Sequence, residues 1–234
     1  MPNTDNLVIE IGPGLGDLTE KLLEKRRVTA IEIDKDLCEI LKEKFPDLNL
    51  ICEDVLKLWH DSLADEKYDL IANLPYYIAT NIILKALKDK NAQNILVLIQ
   101  KEVADKFLAK PGDKNYGSLA IIAQSVADVK KEFDIPPGAF VPAPKVMSTV
   151  ISFSKFKESF DEEFAKFLRQ AFSNPRKTLK KNLSVYKFNP GDFGLAETVR
   201  PHQVDISTFF RLFSALKERS ENGKRKRNKS SRSD

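Results

Sequence analysis

Apolar positions in this chain follow two alternating periods. Short runs of aliphatic and β-branched residues occur at Leu7–Ile11, Val28–Ile33, Leu48–Cys52, Tyr68–Ala72, Ile95–Gln100 and Val146–Phe153. Between the earlier runs, apolar residues recur at helical spacing: Leu18, Leu22 and Leu23, then Leu37, Ile40 and Leu41, then Ile82, Ile83, Ala86 and Leu87. Nearly continuous apolar runs are what strands need when helices cover both faces of a parallel sheet. The alternation predicts a doubly wound, Rossmann-like α/β sheet. Lys130–Ile135 reads as a further, more exposed strand ahead of the loop Pro136–Pro144.

Around Lys155 the pattern changes. From Phe160 to Leu216 no strand is evident, and apolar residues recur at helical spacing (Phe164, Phe167, Leu168, Ala171, Phe172; Phe209, Leu212, Phe213, Leu216). The expected organisation is a sheet domain over 1–155, a small C-terminal helical domain over 156–216, and a disordered tail over 217–234. At 234 residues, 42% hydrophobic and 31% charged, the chain can bury a proper core. No apolar run reaches the roughly 20 residues of a membrane span, and the amino end carries no basic-then-apolar leader. Two cysteines (Cys38, Cys52) and two histidines (His60, His202) lack partners at motif spacing, so neither a disulfide framework nor a metal site is expected. The chain reads as reduced, cytoplasmic and without a membrane partner. Its net charge of +4 is uneven. Residues 217–234 hold eight basic and three acidic residues, which leaves about −1 for everything before them. A cationic tail on a near-neutral body suits a polyanionic partner.

Glu10-Ile-Gly-Pro-Gly-Leu-Gly16 lies where the first strand should turn into the first helix. Gly12, Gly14 and Gly16 there let backbone approach a ligand closely. Glu32 ends the second strand, where a carboxylate can accept both hydroxyls of a ribose, and Asp54 follows the third, within reach of an adenine amino group. Taken singly, Glu32 is a solvated strand-end acid and Asp54 a helix N-cap. Together, with the adjoining Ile33 and Val55, they line one crevice for an adenosine cofactor. The GxGxG spacing, with Glu10 before it and Asp17 after it, repels a diphosphate and favours a cationic ligand. S-adenosylmethionine fits that better than a dinucleotide.

Tyr68–Ala72 runs into Asn73-Leu74-Pro75-Tyr76 at the same sheet edge. Pro75 removes one N–H and biases Leu74 away from the helical region. The Asn73 side-chain oxygen and the Leu74 carbonyl can then accept both hydrogens of an exocyclic amine, and Tyr76 can stack on its base. The plainer alternative is a strand-ending proline turn with a buried tyrosine.

These segments, with Gln100-Lys-Glu-Val-Ala-Asp, Asn115-Tyr-Gly-Ser, Ile135–Val146 and Ala171-Phe-Ser-Asn-Pro-Arg-Lys-Thr-Leu179, resemble the KsgA-type ribosomal RNA adenine dimethyltransferases from about Leu7 to Leu216. The resemblance implies S-adenosylmethionine as cofactor, a monomer, and two methyl groups placed on the N6 of each of two adjacent adenines in a small-subunit rRNA hairpin loop. It assigns Gly12, Glu32, Asp54 and Asn73 to the cofactor, and Asn73, Leu74, Pro75 and Tyr76 to the target amine and base. Phe140 would stack on the other face of that base, although alone it reads equally as an anchor for a proline-rich loop. Family members carry some tens of residues before the first strand, including a segment that closes over the cofactor. That segment is expected to be missing here, with weaker cofactor binding as the consequence.

Arg169, Arg176, Lys177, Lys180 and Lys181 form a cationic stretch in the helical part. A charge run is ordinarily a solvated face; for an enzyme acting on RNA it becomes a phosphate-binding patch. Two other functions compete with the leading one. One is a large-subunit rRNA methyltransferase of the macrolide-resistance type, against which Leu74 and Phe140–Val146 weigh. The other is a non-catalytic ribosome-assembly factor, against which the intact Asn73–Tyr76 weighs.

Overall fold

The computed structural model describes residues 2, 4–186 and 188–217. They form two compact units, one from the described residues up to Leu108 together with Val126–Phe160, the other from Ala109–Ser125 and the described residues from Asp161 onward. Of the basic tail, residues 218–234 lie outside the described residues.

The first unit is built on a seven-stranded sheet in the order β3-β2-β1-β4-β5-β7-β6. Its strands are β1 (Leu7–Ile11), β2 (Val28–Glu32), β3 (Asn49–Cys52), β4 (Tyr68–Asn73), β5 (Ala92–Gln100), β6 (Ala127–Ile135) and β7 (Ser148–Lys155). β1 to β5 run parallel. β7 is antiparallel to both β5 and β6, so the doubly wound sheet is mixed, a direction that the sequence pattern does not record. The reason is non-local. β7 inserts between β5 and β6, and no period within β7 records its direction. Helices α1 (Asp17–Leu23), α2 (Lys35–Lys44), α3 (Val55–Leu58), α4 (Ala79–Lys88) and α5 (Lys101–Leu108) complete the unit. All five residues of β2 and the first five of β4 are buried, as expected for strands covered on both faces. After β3 the chain crosses back to lay β4 on the far side of β1. That reversal is the switch point at which open α/β sheets bind ligands.

The amino edge of this sheet is held by two acids. Asp69 accepts hydrogen bonds from Thr4 Oγ1, Asn6 Nδ2, Arg26 Nη2 (2.8 Å) and Asn94 Nδ2 (2.8 Å). Burial pushes its pKa up, but these donors together outweigh burial and hold the carboxyl below its usual value. Asp89 accepts from Trp59 Nε1 (3.0 Å), Tyr68 OH (2.6 Å) and the backbone N–H groups of Leu63 and Asn91.

One expectation needs correction. Cys38 and Cys52, which the sequence leaves without partners, form a disulfide. Helix α2 packs on β3 and brings their Cα atoms to 6.2 Å, a proximity set by tertiary packing and not by spacing.

The second unit contains α6 (Ser118–Gln124), α7 (Glu162–Ala171), α8 (Leu179–Asn182) and a helix over residues 206–217. The sequence pattern leaves residues 109–125 with the sheet, whereas in the structure they pack with this unit. Tyr116 meets Phe172 edge-on at 6.2 Å between ring centres, and the Gly112 N–H donates to the His202 carbonyl. The rest of the core is aromatic: Phe164 stacks on Phe210 at 4.3 Å, and Phe167 and Phe213 pack beside it. No helix among the described residues is long and apolar enough to cross a membrane.

Candidate active site

The carboxyl ends of β1, β2 and β4 carry most of the candidate residues. After β1 the chain makes a glycine turn whose first N–H, from Gly12, donates to the Ile31 carbonyl at 2.9 Å. Gly16 adopts φ 83°, and a Cβ there would stand 2.5 Å from Phe45 Cε2, so both conformation and space demand glycine. Gly14, also at positive φ, donates its N–H to Glu32 Oε2 at 3.3 Å, which fixes the acid at the end of β2 against the turn. The other Glu32 oxygen accepts from the N–H groups of Ile33 (2.8 Å) and Asp34 (3.0 Å). Glu32 is thus a buried acid oriented by backbone donors and not a solvated strand end.

Glu10 is more unusual. It is 1% exposed, and its one hydrogen-bond partner among the described residues is Thr19 Oγ1 at 2.7 Å. Burial raises its carboxyl to about 7, only partly opposed by that hydrogen bond. Asp54 caps α3, its side chain accepting from the Leu56 N–H at 2.9 Å, so the N-cap reading holds. The side chain of Ile33 is exposed and that of Val55 is buried. Asp17 is exposed, with Lys44 Nζ 3.9 Å away.

β4 delivers Asn73 to the same edge. The Leu74 N–H donates to the Leu98 carbonyl at 3.1 Å, and Leu74 buries its side chain, so the backbone here is anchored to β5. Tyr76 shares a 2.8 Å hydrogen bond with Ser148 Oγ, which ties the segment to the start of β7. Asn73, Leu74, Pro75 and Tyr76 then line one wall of a cleft of about 290 Å³, and Phe140, Pro142 and Pro144 line the other. Phe140 therefore lines the cleft. The bond between Val141 and Pro142 in this loop is cis. The glycine turn and the cleft are neighbours: a Cβ placed on Gly12 would stand 3.9 Å from Pro75 Cδ. Sequence reasoning missed Thr19 and Ser148, the partners of Glu10 and Tyr76. Neither hydroxyl carries a motif of its own, and Ser148 lies 72 residues from its partner.

In the second unit, Arg169, Arg176, Lys177, Lys180 and Lys181 are all exposed. Arg169 lies 3.9 Å from Glu162, and Lys180 pairs with Glu197 at 2.8 Å. Arg176, Lys177 and Lys181 have no acidic partner among the described residues. The loop leading to α8 is held from beneath by Asn182, 4% exposed, whose Nδ2 donates to the carbonyls of Ala171 (2.8 Å) and Asn174 (3.0 Å).

Comparison with known proteins agrees with this geometry. Residues 2–216 match the family model described as ribosomal RNA adenine dimethylase. The chain is 48% identical to a ribosomal RNA small subunit methyltransferase A from Sulfurimonas denitrificans, over 97% of this chain and 89% of that one. It is 46% identical to the protein of the same description from Aliarcobacter butzleri, over 93% and 88% of the two chains. Among solved structures, a dimethyladenosine transferase from Plasmodium falciparum superposes with a TM-score of 0.77 at 25% identity, covering 92% of this chain and 91% of that one. The 23S rRNA methyltransferase ErmE shares the fold, with a TM-score of 0.71 at 23% identity over 91% of each chain. With its Rossmann-like sheet and its glycine turn set against the Asn73–Tyr76 cleft, this chain is a methyltransferase and belongs to the ribosomal RNA adenine dimethylase family.

Proposed function

We propose that this enzyme transfers methyl groups from S-adenosylmethionine to the N6 amines of two adjacent adenines in a small-subunit rRNA loop. It would act as a single chain on rRNA or on the assembling small subunit in the cytoplasm. The observation that carries this reading is the meeting of the glycine turn with the aromatic cleft at Gly12 and Pro75, which supports a cofactor crevice beside a base pocket.

The residues present suit the cofactor. Gly12, Gly14 and Gly16 give a cradle of backbone, Glu32 is oriented by backbone donors toward the turn, and Glu10 is a buried acid with no ion-pair partner among the described residues. Glu32 would hold the ribose hydroxyls, Asp54 with Ile33 and Val55 the adenine, and Glu10 would answer the positive charge of the methionine end. When bound, S-adenosylmethionine supplies an electrophilic methyl group.

The chain's own contribution is positioning and polarisation. Tyr76 and Phe140 would clamp the two faces of a flipped adenine. Asn73 Oδ1 and the Leu74 carbonyl would accept the two amine hydrogens, drawing the nitrogen lone pair out of conjugation and directing it toward the crevice. No covalent intermediate on the protein is required. Arg176, Lys177 and Lys181 would hold RNA phosphates, with Arg169 and Lys180 assisting.

The test is to incubate the protein with radiolabelled S-adenosylmethionine and unmethylated small or large ribosomal subunits, then map the label. Label on two adjacent small-subunit adenines is expected. Label confined to the large subunit would reassign the substrate, and no label on either would return the protein to an assembly role.

A further inference from the structure

The two walls of the cleft each carry an apolar side chain that the fold leaves in solvent. Tyr77, immediately after the lining residue Tyr76, is 86% exposed. Val141, between the lining residues Phe140 and Pro142, is fully exposed. The backbone at Tyr77 is well fixed: Ile78 donates its N–H to the Pro75 carbonyl, which closes a turn around Tyr76 and Tyr77. Tyr76 is anchored through Ser148, so the turn presents one tyrosine to the cleft and the next to solvent. A large aromatic ring held in solvent on a fixed turn, next to the cleft, is free to stack on a ligand that extends beyond it.

We infer that Tyr77 is the stacking platform for the nucleotide adjoining the adenine held in the cleft. This rests on the proposed RNA substrate. Turning one base out of a loop into the cleft breaks its stacking with the neighbouring base. Tyr77 follows Tyr76 directly on the same fixed turn, so its exposed ring lies within a nucleotide's reach of the cleft and can take up the face that this neighbour loses. Aromatic side chains replace such stacking without regard to sequence, and each is worth enough to change affinity about tenfold or more. Val141 has no π face and can offer only apolar contact, so the stacking falls to Tyr77. Where the substrate presents two adjacent adenines, Tyr77 is then a positioning residue that holds one while its neighbour occupies the cleft.

The test uses the whole protein and a hairpin RNA with two adjacent loop purines, the second replaced by fluorescent 2-aminopurine. Parent protein should quench the fluorophore on binding. Tyr77→Ala should abolish the quench, weaken RNA binding about tenfold and raise the KM for RNA with little change in kcat, while Tyr77→Phe and Tyr77→Trp restore all three. Equal quenching and affinity in Tyr77→Ala would overturn the inference, as would a Tyr77→Phe protein as impaired as Tyr77→Ala. If the parent methylates the RNA without quenching the probe, the inference fails and the proposed function stands. A parent that leaves such RNA unbound overturns the inference, while the proposed function is decided by the labelling of whole subunits.

Discussion

The two edges of the same sheet treat their acids in opposite ways. At the amino edge, Asp69 accepts from three side chains besides a guanidinium, and Asp89 accepts from an indole, a phenol and two backbone N–H groups. At the carboxyl edge, Glu10 is as deeply buried but among the described residues has one hydroxyl for company, and the Glu32 carboxylate is met there by N–H groups of neighbouring turns alone. A buried carboxylate without a cation is expensive in an isolated protein. The fold saturates the acids that hold it together and leaves acceptor capacity at the edge of the proposed cofactor crevice.

The largest effect should come from the saturated edge. Removing the carboxylate in Asp69→Ala strands the Arg26 guanidinium, which is 8% exposed, among groups it was paired to. Loss of one partner of a buried pair costs about 3–5 kcal/mol. Urea unfolding should show a loss of that size, and a change under about 1 kcal/mol would mean that Asp69 is not a structural hub. Asn73→Ala should do the reverse. Asn73 is exposed at a strand end, so stability should hold. Methyl transfer should fall about 10²–10³-fold, by analogy with loss of one preorganised polar group in an active site. Cofactor binding, followed by calorimetry, should suffer much less.

Glu10 allows the contrast to be read as a function of pH. Its carboxyl is raised from 4.5 to about 7 by burial, so between those values the folded state binds more protons than the unfolded chain. Stability from this group is therefore complete below about 4.5 and is lost as pH rises through about 7. The whole loss is on the order of 3 kcal/mol at most. Glu10→Gln keeps the acceptor for Thr19 and should flatten the decline between pH 5 and 7 in thermal unfolding. The same slope in both proteins would show that Glu10 does not titrate there.

The carboxyl edge of the sheet was legible in the sequence because its determinants are local. β1, β2 and β4 are mostly apolar because both faces are buried, and Gly12–Gly16, Glu32 and Asn73–Tyr76 each sit at a strand end that the period identifies. What escaped depends on contacts distant in sequence. The antiparallel entry of β7, the Cys38–Cys52 pairing and the Tyr76–Ser148 hydrogen bond are decided by packing between separate elements. The packing of residues 109–125 with the helices was hidden for a similar reason. The apolar face of α6 looks the same whether a sheet or another helix receives it.

The smallest effects on folding, and the most informative about RNA, should come from the second unit. Arg176, Lys177 and Lys181 are exposed and lack ionic partners among the described residues, so reversing them to Glu should change stability by no more than about 0.5 kcal/mol for each. If each contacts a phosphate, each contributes about 0.7 to the salt slope of binding to single-stranded RNA. The triple reversal should then lower the slope by about 2 and weaken binding most at low salt. Lys180 gives the internal control. It already spends its charge on Glu197 at 2.8 Å, so Lys180→Glu should alter the slope less than any one of the three. A triple variant with the parent slope would make these cations a solvated face. A Lys180 variant with the full loss would show that ion pairing within the protein does not decide which cations reach the RNA.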